Sequence, residues 1–303
     1  MNQTARQAAG LPLAALLLLG GCAVKKTERL APGQILPLQT ATREELVARL
    51  AEQAAAVHSV NIEAELIPST GSAYSGVIEQ YHDVKAFLLA QRHEDEKGNS
   101  RQLRVIGQAP VVRKTVFDMV ADNAEFRVHL PTKNKFVVGP TELARRSEKP
   151  IENLRPQHLF EALFIPAPQP TSAQAMVLLE ENEFSGRRYY ALTEATAPDG
   201  GGWRLARKWW FDRVDLTLVR VQRFDADGRL VADVHYGQWR LADGVPYPRE
   251  ITLVRPQDDY RLKLLVKELR LNQPLPPERF RLEPPQGVEV IEVKPEPPAE
   301  GSR

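Results

Sequence analysis

Apolar residues recur along most of this chain at every second position, the period of a strand, and only two internal stretches repeat at helical spacing. The first is Leu46, Val47 and Leu50, then Ala54 and Val57, an apolar stripe ending near His58-Ser59. Thr42 stands three residues before Glu45, the spacing of a capping box, so a helix is predicted to start there. The second runs from Glu152 to Phe164, between Pro150 and Pro166, with Leu154, Leu159, Phe160, Leu163 and Phe164 on a broad apolar surface. Pro156 falls in its first turn, where a missing N–H is tolerated.

The remainder reads as strand and turn. Val60 to Ile67 alternates, and Pro68 with Gly71 marks a turn; Tyr74 to Arg92 is β-prone, with an interruption near His82-Asp83. Glu94 to Ser100 makes a polar hairpin loop, and Arg101 to Gln108 places Leu103 and Val105 on one face. Val111 to Ala121 and Ala124 to Leu130 flank the turn Asp122-Asn123, and Lys135 to Val138 returns. Strands resume at Ala175 and continue as Arg187 to Thr196, Trp203 to Asp212, Leu216 to Phe224, Leu230 to Leu241, Tyr247 to Val254 and Tyr260 to Leu271. The short connections suit antiparallel pairing. The expected class is α+β, with one large antiparallel sheet and two helices.

Two strands carry apolar residues on both faces. Trp203, Leu205, Trp209 and Phe211 share a face with Trp210 opposite, and Tyr260, Leu262, Leu264 and Val266 oppose Leu265, Leu269 and Leu271. A packed sheet partly solvated outside is the plain reading. The sharper one is a concave face only partly filled by helices, leaving a groove for acyl chains. Its candidate residues are Leu103, Val105, Phe117, Leu159, Phe160, Leu163, Phe164, Trp203, Trp209 and Phe211. The prolines on either side would let the mid-chain helix move as a lid, unless its surplus apolar surface packs against Leu46 and Leu50.

The N-terminus adds a location. Arg6 precedes a short apolar run, Leu11 to Leu19, that ends in Leu19-Gly20-Gly21-Cys22. The run is shorter than the roughly 20 residues of a spanning helix and reads as a cleaved signal. Its end is similar to the lipobox of bacterial lipoproteins, which makes Cys22, the single cysteine, the lipid-modified residue. With Ala23 next, the resemblance implies an outer-membrane anchor facing the periplasm. The expected organisation is signal peptide 1–21, acylated cysteine and tether 22–39, folded domain 40–292 and a Pro/Glu-rich tail 293–303.

Charge and chemistry exclude more than they add. Lys and Arg number 40 against 39 Asp and Glu, so nucleic acid is not expected as a partner. The six histidines show no metal spacing, Gly200 to Gly202 lead into a strand, and no nucleophile elbow is present, so no cofactor and no enzyme are expected. His158, on the mid-chain helix, is an ordinary amphipathic position or a proton switch. The mixed-charge run Glu142 to Lys149 is a solvated loop, or sets Arg145 and Arg146 against anionic headgroups.

The order of elements resembles the LolA/LolB-like fold of lipoprotein carriers. The resemblance rests on Trp210-Phe211-Asp212, Leu218 to Val221 and Asp225 to Gly228. It continues through Asp243 to Pro248, Leu269 to Asn272, Phe280 to Leu282 and Pro285 to Gly287. It implies that the α+β fold is a large curved antiparallel sheet forming an open half-barrel, with helices packed on its concave side as a lid, partnered by lipid or lipoprotein acyl chains, with the membrane reached through Cys22. The same fold could serve an envelope sensor or scaffold with a protein partner. One departure is that the hairpin loop Glu94 to Asn99 is wholly polar, where the membrane-anchored receptor branch carries an exposed leucine.

Overall fold

Thr42 opens the first element as its spacing requires. Its Oγ1 accepts from the Glu45 amide at 3.2 Å, and the Glu45 carboxylate accepts from the Thr42 amide at 2.7 Å. Helix α1 then runs Arg43–Ala56 and buries Leu46 and Leu50. In this computed structural model, residues 37–72, 77–80, 83–95, 98–141, 155–168, 174–197 and 201–293 are described. Cys22, Arg145, Arg146, the first three residues of the expected mid-chain helix and the Pro/Glu tail from residue 294 lie outside them.

Fifteen strands form one open sheet. They are β1 Ser59–Ser72, β2 Val77–Gln80, β3 Val84–Asp95, β4 Gly98–Gln108, β5 Thr115–Ala121, β6 Glu125–Leu130, β7 Lys135–Pro140 and β8 Ala175–Phe184. The rest are β9 Arg187–Thr196, β10 Arg204–Asp212, β11 Leu218–Phe224, β12 Leu230–Ala242, β13 Val245–Arg255, β14 Tyr260–Leu271 and β15 Glu289–Glu292. Their order is β15-β7-β6-β5-β4-β3-β1-β14-β13-β12-β11-β10-β9-β8, with β2 paired to β1. Helix α2, Pro156–Leu163, stands between β7 and β8 in sequence.

The expected class is therefore corrected. Among the described residues the chain is mainly β, with α-helices of 14 and 8 residues beside fifteen strands, and it is not an α+β half-barrel with helices packed on a concave side. Three strand features also differ from the expectation. Pro68, expected to end β1, lies inside it opposite Leu262. On the other edge it falls between the last pair with β3, Leu66 with Val84, and the first with β2, Ser69 with Gln80. A residue without an N–H is tolerated in that gap. The stretch Ala109–Lys114 is a turn instead of strand, closed by bonds between Ala109 and Lys114 and between Arg113 and Ala109, with Arg113 at φ 51°. Finally, β15 pairs with β7 in parallel, against the antiparallel rule of the remaining ladders.

Two bulges resolve the strands with apolar residues on both faces. Between β1 and β14 the register shifts, so that Glu63 pairs with Glu268 and Ala64 with Val266. The extra residue reverses the alternation, since side chains alternate with period two. Tyr260, Leu262, Leu264 and Val266 before the bulge, and Leu269 and Leu271 after it, thus enter the same core. A second shift, between Leu205 and Arg207 on β10, separates Trp203 from Trp209 and Phe211 in the same way.

Candidate functional site

The apolar interior gathers most of the candidates. Leu103 and Val105 from β4, Trp209 and Phe211 from β10, and Leu159, Phe160, Leu163 and Phe164 from α2 and its end belong to one buried cluster with Leu46 and Leu50 of α1. Phe117 of β5 is half-buried against it. Its ring lies over Gly107 of β4, where an added Cβ would come within 2.2 Å. Trp203 stands apart, 54% exposed and outside β10. The phenyl rings of Phe160 and Phe164 stack with centroids 4.5 Å apart.

The segment α2 is held by the sheet more than by itself. Eight residues are too few for a stable isolated helix, and Arg155 at its start gives no side-chain cap. The last carbonyls of a helix lack intrahelical partners. Here the Tyr236 hydroxyl donates to Ala162 O at 3.2 Å and the Tyr247 hydroxyl to Leu163 O at 2.9 Å. The Trp209 indole donates to Pro166 O, just beyond, at 2.8 Å. Burial pushes both phenols well above their ordinary range, so each remains a neutral donor.

A charged group supports the other side of the helix. His158, 3% exposed, faces Arg255, whose Nη1 lies 3.0 Å from the imidazole Nε2. Arg255 is fixed by Asp258 through Nε at 2.8 Å and Nη2 at 2.7 Å. Arg223 of β11 reaches Glu161 of α2 at 3.5 Å. Burial first, then Arg255, Arg223 and Arg155, lower the His158 pKa to about 2.

Beside the start of α2 opens a cleft of about 270 Å³, lined by Leu103, Ala121 and Phe160 together with Arg101, Asn123 and Thr141. The Arg101 guanidinium lies over the Phe160 ring at 5.7 Å. Among the described residues no group of three or more His, Cys, Asp or Glu could hold a metal ion, and no helix is long and apolar enough to cross a membrane.

Periodicity missed one surface feature. The turn between β4 and β5 exposes Val111 to 92% and Val112 to 72%, followed by exposed Arg113 and Lys114. Pro110, which cannot donate to a ladder, was the signal available in the sequence.

No family model matches the chain, and no curated protein matches its sequence. Solved structures do match its shape. A DUF1329 family protein from Desulfovibrio piger superposes with a TM-score of 0.52 at 15% identity, over 78% of this chain and 94% of that one. An outer-membrane lipoprotein-sorting protein domain from Vibrio parahaemolyticus gives 0.50 at 14% identity, again over 78% and 94%. The fold is shared with these two. A LolA superfamily protein from Nitrosomonas europaea scores 0.46 at 11% identity, over 80% of this chain and 99% of that one. The resemblance read from the sequence is supported at the level of fold. At these identities the likeness extends to the fold alone.

Proposed function

We propose that this chain is a lipid-anchored, periplasm-facing outer-membrane protein that binds acyl chains or lipoproteins without catalysis. One observation carries the reading: the apolar interior is filled by side chains of α2, a short helix held in place by sheet side chains. Leu159, Phe160, Leu163 and Phe164 occupy volume against Leu103, Val105, Trp209 and Phe211 that a flexible hydrocarbon could occupy in their place. Such a site is non-directional and suits a chain of methylenes, each worth about 0.8 kcal/mol when buried. The cleft beside Phe160 is the natural mouth. The exposed Val111-Val112 pair with Arg113 and Lys114 suits contact with an anionic lipid surface. Acylated Cys22 would hold the protein at that surface, and the fold shared with the lipoprotein-sorting domain is consistent with such work.

The test is a fluorescent long-chain fatty acid titrated into the full chain, then displaced by unlabelled acyl compounds. Phe160→Ala widens the cleft and should tighten binding severalfold, even as it lowers stability. A probe that never binds, with circular dichroism showing an intact fold, overturns the acyl reading and favours a scaffold with a protein partner. Metabolic labelling with a fatty-acid analogue should mark the wild type and not Cys22→Ser.

A further inference from the structure

Within the polar seat of α2, one group fits only in its neutral form. An arginine side chain has donors and no acceptor, so the contact from Arg255 Nη1 requires His158 Nε2 to accept. The imidazole is then neutral, with its proton on Nδ1. That atom is buried and makes no hydrogen bond. Gln157, whose Nε2 is 3.4 Å from the same Nε2, is a second donor and no acceptor in this direction. The charged groups around the ring are Arg155 before the helix, Arg223 on β11, Arg255 on β13 and Asp258 in the turn after it, while Glu161 on α2 itself is engaged by Arg223. A proton on His158 would therefore break its bond to Arg255 and place an imidazolium among three guanidiniums.

We propose that the seat of α2 is a proton-sensitive latch, in which the helix stays docked while His158 is neutral and its release lets the imidazole take up a proton. The proposal rests on the reading of α2 as the cover of an acyl site only for its purpose; the coupling itself follows from the geometry around His158.

The direction is fixed by linkage. Released into water, the imidazole returns towards its ordinary pKa of about 6.5. Docked, it is held far below that by burial and by Arg255, Arg223 and Arg155. Docking is thus fully supported above about pH 6.5 and weakens as pH falls below it, close to tenfold per unit, because opening binds one proton. An acyl ligand that replaces α2 would be loaded with proton uptake, and acidification would favour the loaded form.

Hydrogen exchange of the full chain, with each amide divided by its intrinsic rate at that pH, tests the latch. Between pH 6 and 4 the opening constant of amides 159–165 should rise about a hundredfold, while amides 46–56 of α1 change far less. His158→Gln keeps an acceptor for Arg255 and cannot be protonated in this range. Its slope in α2 should fall well below that of the wild type. A wild-type slope no steeper in α2 than in α1, or a Gln variant as steep as the wild type, overturns the latch. Should the variant fail to fold by circular dichroism, the wild-type comparison of the two helices decides alone. Fatty-acid binding at pH 7 on the same samples separates the two proposals: a slope without binding leaves the latch and removes the acyl reading, and binding without a slope does the reverse.

Discussion

The two helices enter one apolar core by opposite means. Helix α1 is fourteen residues long, closes its own N-terminus with Thr42 and Glu45, and buries two leucines. Helix α2 is eight residues long, has no side-chain cap, and buries Pro156, His158, Leu159, Phe160, Ala162 and Leu163. At their C-termini both receive donors from elsewhere in the fold. For α1 these are Arg92 to the carbonyls of Ala54 and Val57, and Asn272 to that of Ala56. For α2 they are the buried Tyr236 and Tyr247. A helix with its own cap can fold as a local unit and then dock. One that lacks a cap exists because of its seat, and its presence reports whether the seat is intact. The difference makes α2 the helix whose protection depends more on side chains supplied by the sheet.

Removing the largest piece of that seat should have the largest effect. Trp209 is 0% exposed and holds Pro166 O through its indole, so Trp209→Ala leaves both a cavity and an orphaned carbonyl. It should cost about 3–5 kcal/mol in denaturant unfolding, with the 156–166 segment exchanging its amides first. If α1 and α2 lose protection together, the two helices are one cooperative unit and the contrast between them fails.

Smaller changes can separate the helices cleanly. Tyr247→Phe removes one hydroxyl and strands Leu163 O, at about 1–3 kcal/mol, and it should speed exchange in α2 while leaving α1 protected. Thr42→Ala removes the cap of α1 at about 1 kcal/mol and should do the converse, with fatty-acid binding unchanged. Identical exchange patterns from the two variants would show that the caps do not distinguish the helices.

The sequence exposed these elements unevenly, and the reasons are physical. The capping box of α1 is local, four residues long, and could be read directly. So could the bounds of β9 and β14, Arg187–Thr196 and Tyr260–Leu271, because a strand with polar flanks ends where its apolar run ends. The bulge at Glu63 to Ala64 was hidden, since one inserted residue leaves composition unchanged and swaps the faces of everything beyond it. The seat of α2 was hidden for another reason: Arg255 is 97 residues from His158, and Tyr247 is 84 from Leu163. The helix could be found from its leucines and phenylalanines, but the partners that give it meaning are supplied by topology.

Trp203 gives the finest test of that lesson. By simple alternation it shares a face with Leu205, Trp209 and Phe211, and on that basis it belonged with the groove. The register shift between Leu205 and Arg207 intervenes, and Trp203 ends 54% exposed before β10 begins. A side chain this exposed contributes little, so Trp203→Ser should change stability by no more than about 0.5 kcal/mol. Fatty-acid binding should likewise remain at the wild-type level, whereas Phe160→Ala moves it. If Trp203→Ser weakens binding as strongly as a change at the cleft, then the ligand reaches past the bulge to the far end of β10. The apolar surface in use would then be the one that alternation drew, and the buried cluster beneath α2 would be only its inner half.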